Sequence, residues 1–160
     1  MSLLDSVKKL SLDHAQDVIA LRRHLHAHPE LSYQEVKTAK FVADKLRSYG
    51  LQPSEGVAET GVVALIEGKN PSKKIVALRA DMDALPIEEA NNVSYKSQNP
   101  GVMHACGHDA HTSSLLGTAR ILNELKNQFE GTVKLIFQPG EEKNPGGASI
   151  MIKEGVLENP

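Results

Sequence analysis

Apolar positions at helical spacing open the chain. Val18, Leu21 and Leu25 recur at i, i+3 and i+7, which predicts a helix over Leu12–His28 that Pro29 stops. A second helix is predicted from Ser32 or Tyr33 to Tyr49. Ser32 followed by Glu35 resembles a capping box, Gly50 suits the stop, and Val36, Ala39, Val42, Ala43 and Leu46 form the stripe. Three short apolar runs, Val62–Ile66, Ile75–Ala80 and Thr132–Phe137, then read as strands. The run at Ile75 is continuous rather than alternating, which predicts a strand covered on both faces. Between the last two runs, Ala110–Phe129 carries Leu115, Ala119, Leu122 and Leu125 on one helical face. A short helix is predicted over Gly147–Lys153, and Pro86–Pro100 reads as a loop. Strand, helix and strand from Ile75 to Phe137 make a βαβ-like unit, so the predicted class is α/β, with helices on both faces of a sheet.

Composition narrows the function. At 160 residues the chain is long enough for one domain with a core and marginal for two. A hydrophobic content of 40% argues against overall disorder. No apolar run approaches the roughly 20 residues of a membrane helix. Met1–Leu10 carries Asp5, Lys8 and Lys9 without an apolar stretch, so no secretory signal is expected there. A net charge of −2 leaves no electrostatic footprint for nucleic acid or an anionic membrane. Cys106 is the single cysteine, which excludes a disulfide within the chain and points to a cytoplasmic setting.

The densest chemistry lies at His104-Ala105-Cys106-Gly107-His108-Asp109-Ala110-His111, where five potential metal ligands fall in eight positions. Asp109 alone is explained by capping of the following helix, but the clustering of Cys106 with histidines is not. His104 and His111 individually suit supporting or structural roles better than ligation. Gln138-Pro139-Gly140-Glu141-Glu142 follows a strand, where α/β sites form, and one acid can ligate a metal while its neighbour handles a proton. Taken alone, that pair reads as an ordinary charged turn. Arg79-Ala80-Asp81-Met82-Asp83 again places acids at a strand end, and Asp83 could orient a ligating histidine. His24, His26 and His28 alternate along a helix and so face apart; a structural role at the helix C-terminus suits them better than a metal.

Four segments together carry a resemblance: Arg23-His24-Leu25-His26-Ala27-His28-Pro29-Glu30-Leu31, Leu78–Ile87, His104–Thr112 and Phe137–Glu142. The chain resembles the metal-dependent amidohydrolase branch of the aminoacylase/carboxypeptidase metallopeptidase superfamily. That branch includes hippurate hydrolases, N-acyl-amino-acid amidohydrolases, N-acetyldiaminopimelate deacetylases and auxin-conjugate hydrolases. The resemblance implies a mixed, mainly parallel sheet and one or two divalent ions, manganese or zinc foremost, with cobalt or nickel as alternatives. It implies Cys106, His108 and Glu142 as metal ligands, Glu141 as general base and Asp83 as the acid supporting the centre. The implied substrate is a small N-acyl amino acid or peptide-like amide. No nucleic-acid or membrane partner is implied, and a homo-oligomer stays open.

The resemblance also implies two further histidine ligands, one shortly after the Glu-Glu pair and one much later. All seven histidines lie at or before His111. The expectation is therefore that residues 1–160 are the N-terminal part of a catalytic domain, with the lid or dimerisation domain and the remaining catalytic part outside them. Two other readings compete. One is a catalytically inactive metal-binding or interaction module. The other is a thiol hydrolase that uses Cys106 with His108 or His111.

Overall fold

The computed structural model describes residues 2–160. Helices α1 (Leu3–Asp13), α2 (Ala15–Ala27) and α3 (Val36–Ser48) precede strands β1 (Ser54–Val57), β2 (Gly61–Glu67) and β3 (Ile75–Asp81). Helix α4 (His108–Glu124), strand β4 (Thr132–Gln138) and helix α5 (Gly147–Lys153) complete the order. The four strands form one mixed sheet, in the order β1-β2-β4-β3.

The β3–α4–β4 unit places two parallel strands side by side, in register from Ile75 opposite Thr132 to Asp81 opposite Gln138. A parallel pair needs such a crossover, and here a helix supplies it. The other two pairings, β1 with β2 and β2 with β4, are antiparallel. The mainly parallel sheet implied by the resemblance is thus a mixed sheet with one parallel pair among the described residues. β2, which ends 65 residues before β4 begins, pairs with it antiparallel.

Side-chain alternation sends Val62, Ala64 and Ile66 of β2 and Leu135 and Phe137 of β4 to one face. There they meet Leu21 of α2, Val42, Ala43 and Leu46 of α3, and Leu115, Leu116 and Ala119 of α4. On the opposite face Ile136 and Val63 pack with Ile150 and Met151 of α5 and with Ala58 and Val156. Helices therefore lie on both faces, as the pattern predicts.

Several local expectations are corrected. The helix predicted over Leu12–His28 is α2, broken from its predicted start at His14, and the helix before it, α1, which begins at a Ser2–Asp5 capping box, is not predicted. Helix α3 starts later than predicted, because Tyr33 has φ +64° and the Ser32 hydroxyl bonds Asp83 rather than capping. Glu30 serves that helix start instead, accepting from the amides of Lys37 and Thr38 at 3.2 and 2.8 Å. Val36, assigned to the apolar stripe, is exposed. Strand β1 has no counterpart in the sequence pattern. Strand β3 is not covered on both faces: it forms a sheet edge, and Ile75, Val76 and Ala77 are exposed. Helix α4 ends at Glu124, and a 3₁₀ turn over Lys126–Gln128 follows.

Candidate metal centre

The parallel pair and its crossover helix converge on one place. β3 runs out into Met82-Asp83, β4 runs out into Pro139–Glu142, and α4 begins at His108 after Gly107. Gly107 has φ +134°, a backbone conformation that side chains rarely adopt, and it turns the Cys106 loop into the helix. The carboxyl ends of parallel strands and a helix N-terminus thus meet where α/β proteins place their sites.

One ligand atom each from Cys106, His108 and Glu142 lies within 4.8 Å of the others. Nδ1 of His108 donates to the backbone oxygen of Asp83 at 2.8 Å and lies 3.2 Å from Asp83 Oδ1. Nε2 faces the acids, 3.9 Å from Glu142 Oε1 and 3.8 Å from Glu141 Oε2, and would offer its lone pair to a cation once its proton is displaced. Asp83 is almost fully buried, and its Oδ2 accepts from the Ser32 hydroxyl at 2.6 Å and the Glu142 amide at 2.9 Å. Burial alone would raise the Asp83 pKa. The contacts with His108, Ser32 and the amides of Glu142 and Glu141 outweigh it and hold the carboxyl well below its ordinary value. Burial likewise opposes a charged His108, but Asp83 and Asp81 override it and lift that imidazole to about 9.

A second trio, Asp81, His108 and His111, meets the same distance criterion. It shares His108, whose single Nε2 lone pair serves one ion. Asp81 is already engaged by His111 Nδ1 at 2.7 Å and Arg79 at 3.1 Å. His104 is buried with neither ring nitrogen hydrogen-bonded, and burial lowers its pKa to about 4.

The donor set fits a divalent cation. Sulfur, imidazole nitrogen and carboxylate oxygen converge, and the supporting carboxylate fixes the imidazole from behind. Burial and the neighbouring carboxylates of Glu142, Asp81 and Glu141 push the Cys106 thiol up. A nucleophilic cysteine needs the opposite, an electropositive surrounding. The thiol-hydrolase reading therefore loses its chemical basis, whereas a cation placed among these groups would favour the thiolate.

The histidines of α2 do structural work. His26 is buried, with Nδ1 2.6 Å from Asp109 Oδ2 and Nε2 3.1 Å from Glu89 Oε1. Asp109 also meets Arg22 at 3.0 Å, so it is the centre of a buried charged cluster rather than a simple helix cap. His24 stacks on Phe41 at 4.2 Å and lies 4.5 Å from the His28 ring. Sequence reasoning missed the roles of Ser32 and Glu35 in the site, having read both as a helix cap.

Residues 77–160 match the model of peptidase family M20/M25/M40. The chain belongs to this family. It is 51% identical over 154 residues to an N-acyl-L-amino acid amidohydrolase of Geobacillus stearothermophilus, covering 96% of this chain and 41% of the relative. It is 50% identical over 159 residues to thermostable carboxypeptidase 2 of Saccharolobus solfataricus, covering 96% and 40%. The M20 chain thus spans about 40% of the length of these curated relatives. Among solved structures, the Bacillus subtilis YXEP protein, described as a dinuclear metal binding peptidase from the M20 family, superposes with a TM-score of 0.84 at 44% identity. That superposition covers 89% of this chain and 40% of the other. No described helix of this M20 chain is long and apolar enough to cross a membrane.

Proposed function

We propose that this M20 chain supplies the metal-binding and proton-transfer groups of an amidohydrolase acting on N-acyl amino acids or small peptide-like amides. The observation that carries the reading is the convergence of Cys106, His108 and Glu142 within 4.8 Å, beside Glu141. Cys106, His108 and Glu142 would hold the cation. When bound, it polarises the amide carbonyl and acidifies water. Glu141, half-exposed beside these ligands, would take a proton from water and return it to the leaving nitrogen. Asp83 keeps His108 in the tautomer that offers Nε2. The relatives named an amidohydrolase and a carboxypeptidase act on amide bonds by those names, which supports the substrate class.

The test is Glu141→Gln in a polypeptide that contains these residues and hydrolyses an N-acyl amino acid. Hydrolysis should fall by about 10²–10⁴-fold, the ordinary contribution of general acid–base catalysis, while divalent metal stays bound. Hydrolysis at the wild-type rate would overturn the assignment.

A further inference from the structure

Glu35 is fully buried, and no cation pairs with it among the described residues. Its carboxylate is satisfied by two neutral donors instead. Oε1 accepts from the Gly140 amide at 2.8 Å, and Oε2 accepts from the Thr60 hydroxyl at 2.8 Å. Tyr33 of the same short segment packs on this turn and on the residue after it, and Ser32 reaches it through Asp83. The Tyr33 ring covers Gly140 so closely that a Cβ there would lie 2.5 Å from it, and the Tyr33 hydroxyl donates to the Lys143 carbonyl at 3.3 Å. Ser32 donates to the Asp83 oxygen that also receives the Glu142 amide.

Both residues at the closest contact have left-handed backbone, Tyr33 at φ +64° and Gly140 at φ +56°. Such a conformation is an outlier for a bulky residue like tyrosine, and it persists only where the surroundings fix it. A buried carboxylate without a cation is likewise costly, and burial raises the Glu35 pKa against the opposing hydrogen bonds from Gly140 and Thr60. Both costs are met at one place, the turn that carries Glu141 and Glu142.

We propose that Ser32–Glu35 is a clamp that fixes the Gly140–Glu142 turn, with Glu35 as its buried positioning residue. The clamp acts on the turn's backbone, so Glu35 never touches metal or substrate. The proposal deepens the metal-site reading and rests on it only for the consequence that a loosened turn binds metal less tightly.

The test uses the 160-residue chain with Glu35→Ala and Glu35→Gln. Glutamine can keep both contacts, because its oxygen accepts from Gly140 and its amide donates to Thr60, whose hydroxyl can reverse. Amide hydrogen exchange is measured first, without metal. Glu35→Ala should speed exchange at Gly140 and Glu142 at least tenfold relative to the β4 amides, and Glu35→Gln should stay within about threefold of wild type, both in line with loss or retention of one hydrogen bond to a charged group. Calorimetric titration with Mn²⁺ should then show at least tenfold weaker binding for Glu35→Ala only.

Unchanged exchange at Glu142 in a folded Glu35→Ala variant would overturn the clamp, as would equal loss in Glu35→Gln. A fall in global stability with exchange at the turn no faster than in β4 would also overturn it, because that is a structural role alone. A wild-type chain that binds no Mn²⁺ would sink the metal-site reading, while the exchange data still decide the clamp. If Glu35→Ala does not fold, Tyr33→Gly relieves the backbone and removes the covering ring. Faster exchange at Gly140–Glu142 in that variant supports the clamp, and unchanged exchange overturns it.

Discussion

Replacing Asp83 with asparagine removes one charge from a buried site and nearly preserves its shape. In the wild-type chain the carboxylate lies 3.2 Å from His108 Nδ1 and helps to lift that imidazole to about 9 against the opposing effect of burial. A hydrogen bond to a charged partner is worth about 1.5–3 kcal/mol, and one pH unit corresponds to about 1.4 kcal/mol. Asp83→Asn should therefore bring His108 down by about one to two pH units, to about 7–8.

The sign for stability follows from linkage. The folded pKa of His108 lies above its ordinary value of 6.5, so its contribution is fully present below that value and is lost as pH rises through about 9. The metal-free wild-type chain should lose stability across that window, by about 3 kcal/mol at most, and the variant should lose less. The carboxyl of Asp83 shifts the other way. Its contribution is present above the ordinary 3.8 and disappears only as pH falls through the depressed folded value, outside this window. The assay is the titration of the His108 ring nitrogens by NMR in the metal-free chain, paired with urea unfolding at about pH 6 and about pH 9.5. A His108 that still titrates at about 9 in Asp83→Asn would refute the reasoning.

Two further perturbations test the surrounding structure. His26→Leu leaves the buried Asp109 and Glu89 carboxylates without their shared imidazole and should cost about 3–5 kcal/mol, read as a lower midpoint in urea; a wild-type midpoint would show that Arg22 and the loop amides suffice. Gly140→Ala pushes a methyl group to 2.5 Å from the Tyr33 ring on a backbone at φ +56°. It should cost about 1–3 kcal/mol, and an unchanged thermal midpoint would contradict the close packing described for that turn.

The chemistry was more legible in the sequence than the architecture around it. Cys106 and His108 stand out by the density of ligand-type side chains around them, whereas Glu141, Glu142 and Asp83 read alone as polar turns and are singled out by the resemblance; the structure brings all five together near the ends of β3 and β4. The run at Ile75 signalled a strand but not its place in the sheet. Whether a strand is central or at an edge depends on partners distant in sequence, and β3 has only β4. Strand β1, Ser54-Glu55-Gly56-Val57, has no apolar alternation and one β-branched residue, so its pairing with β2 is what makes it a strand.

Charged side chains with distant partners were the least legible. Asp109 looked like a helix cap, but its partners Arg22 and His26 lie more than 80 residues away. Ser32 and Glu35 matched a capping box so well that local logic gave the wrong answer. Tertiary hydrogen bonds to Asp83 and Gly140 claimed both side chains.

Joint ligation of a divalent ion by Cys106, His108 and Glu142 underlies the proposed chemistry. It is tested most directly by titrating Co²⁺ into the 160-residue chain and following its visible absorption, with Cys106→Ser and Glu142→Gln alongside. The account predicts a thiolate-to-cobalt charge-transfer band in the wild type, its loss in Cys106→Ser, and at least about tenfold weaker binding in Glu142→Gln. A wild-type spectrum without the thiolate band, or wild-type affinity in Glu142→Gln, would contradict it.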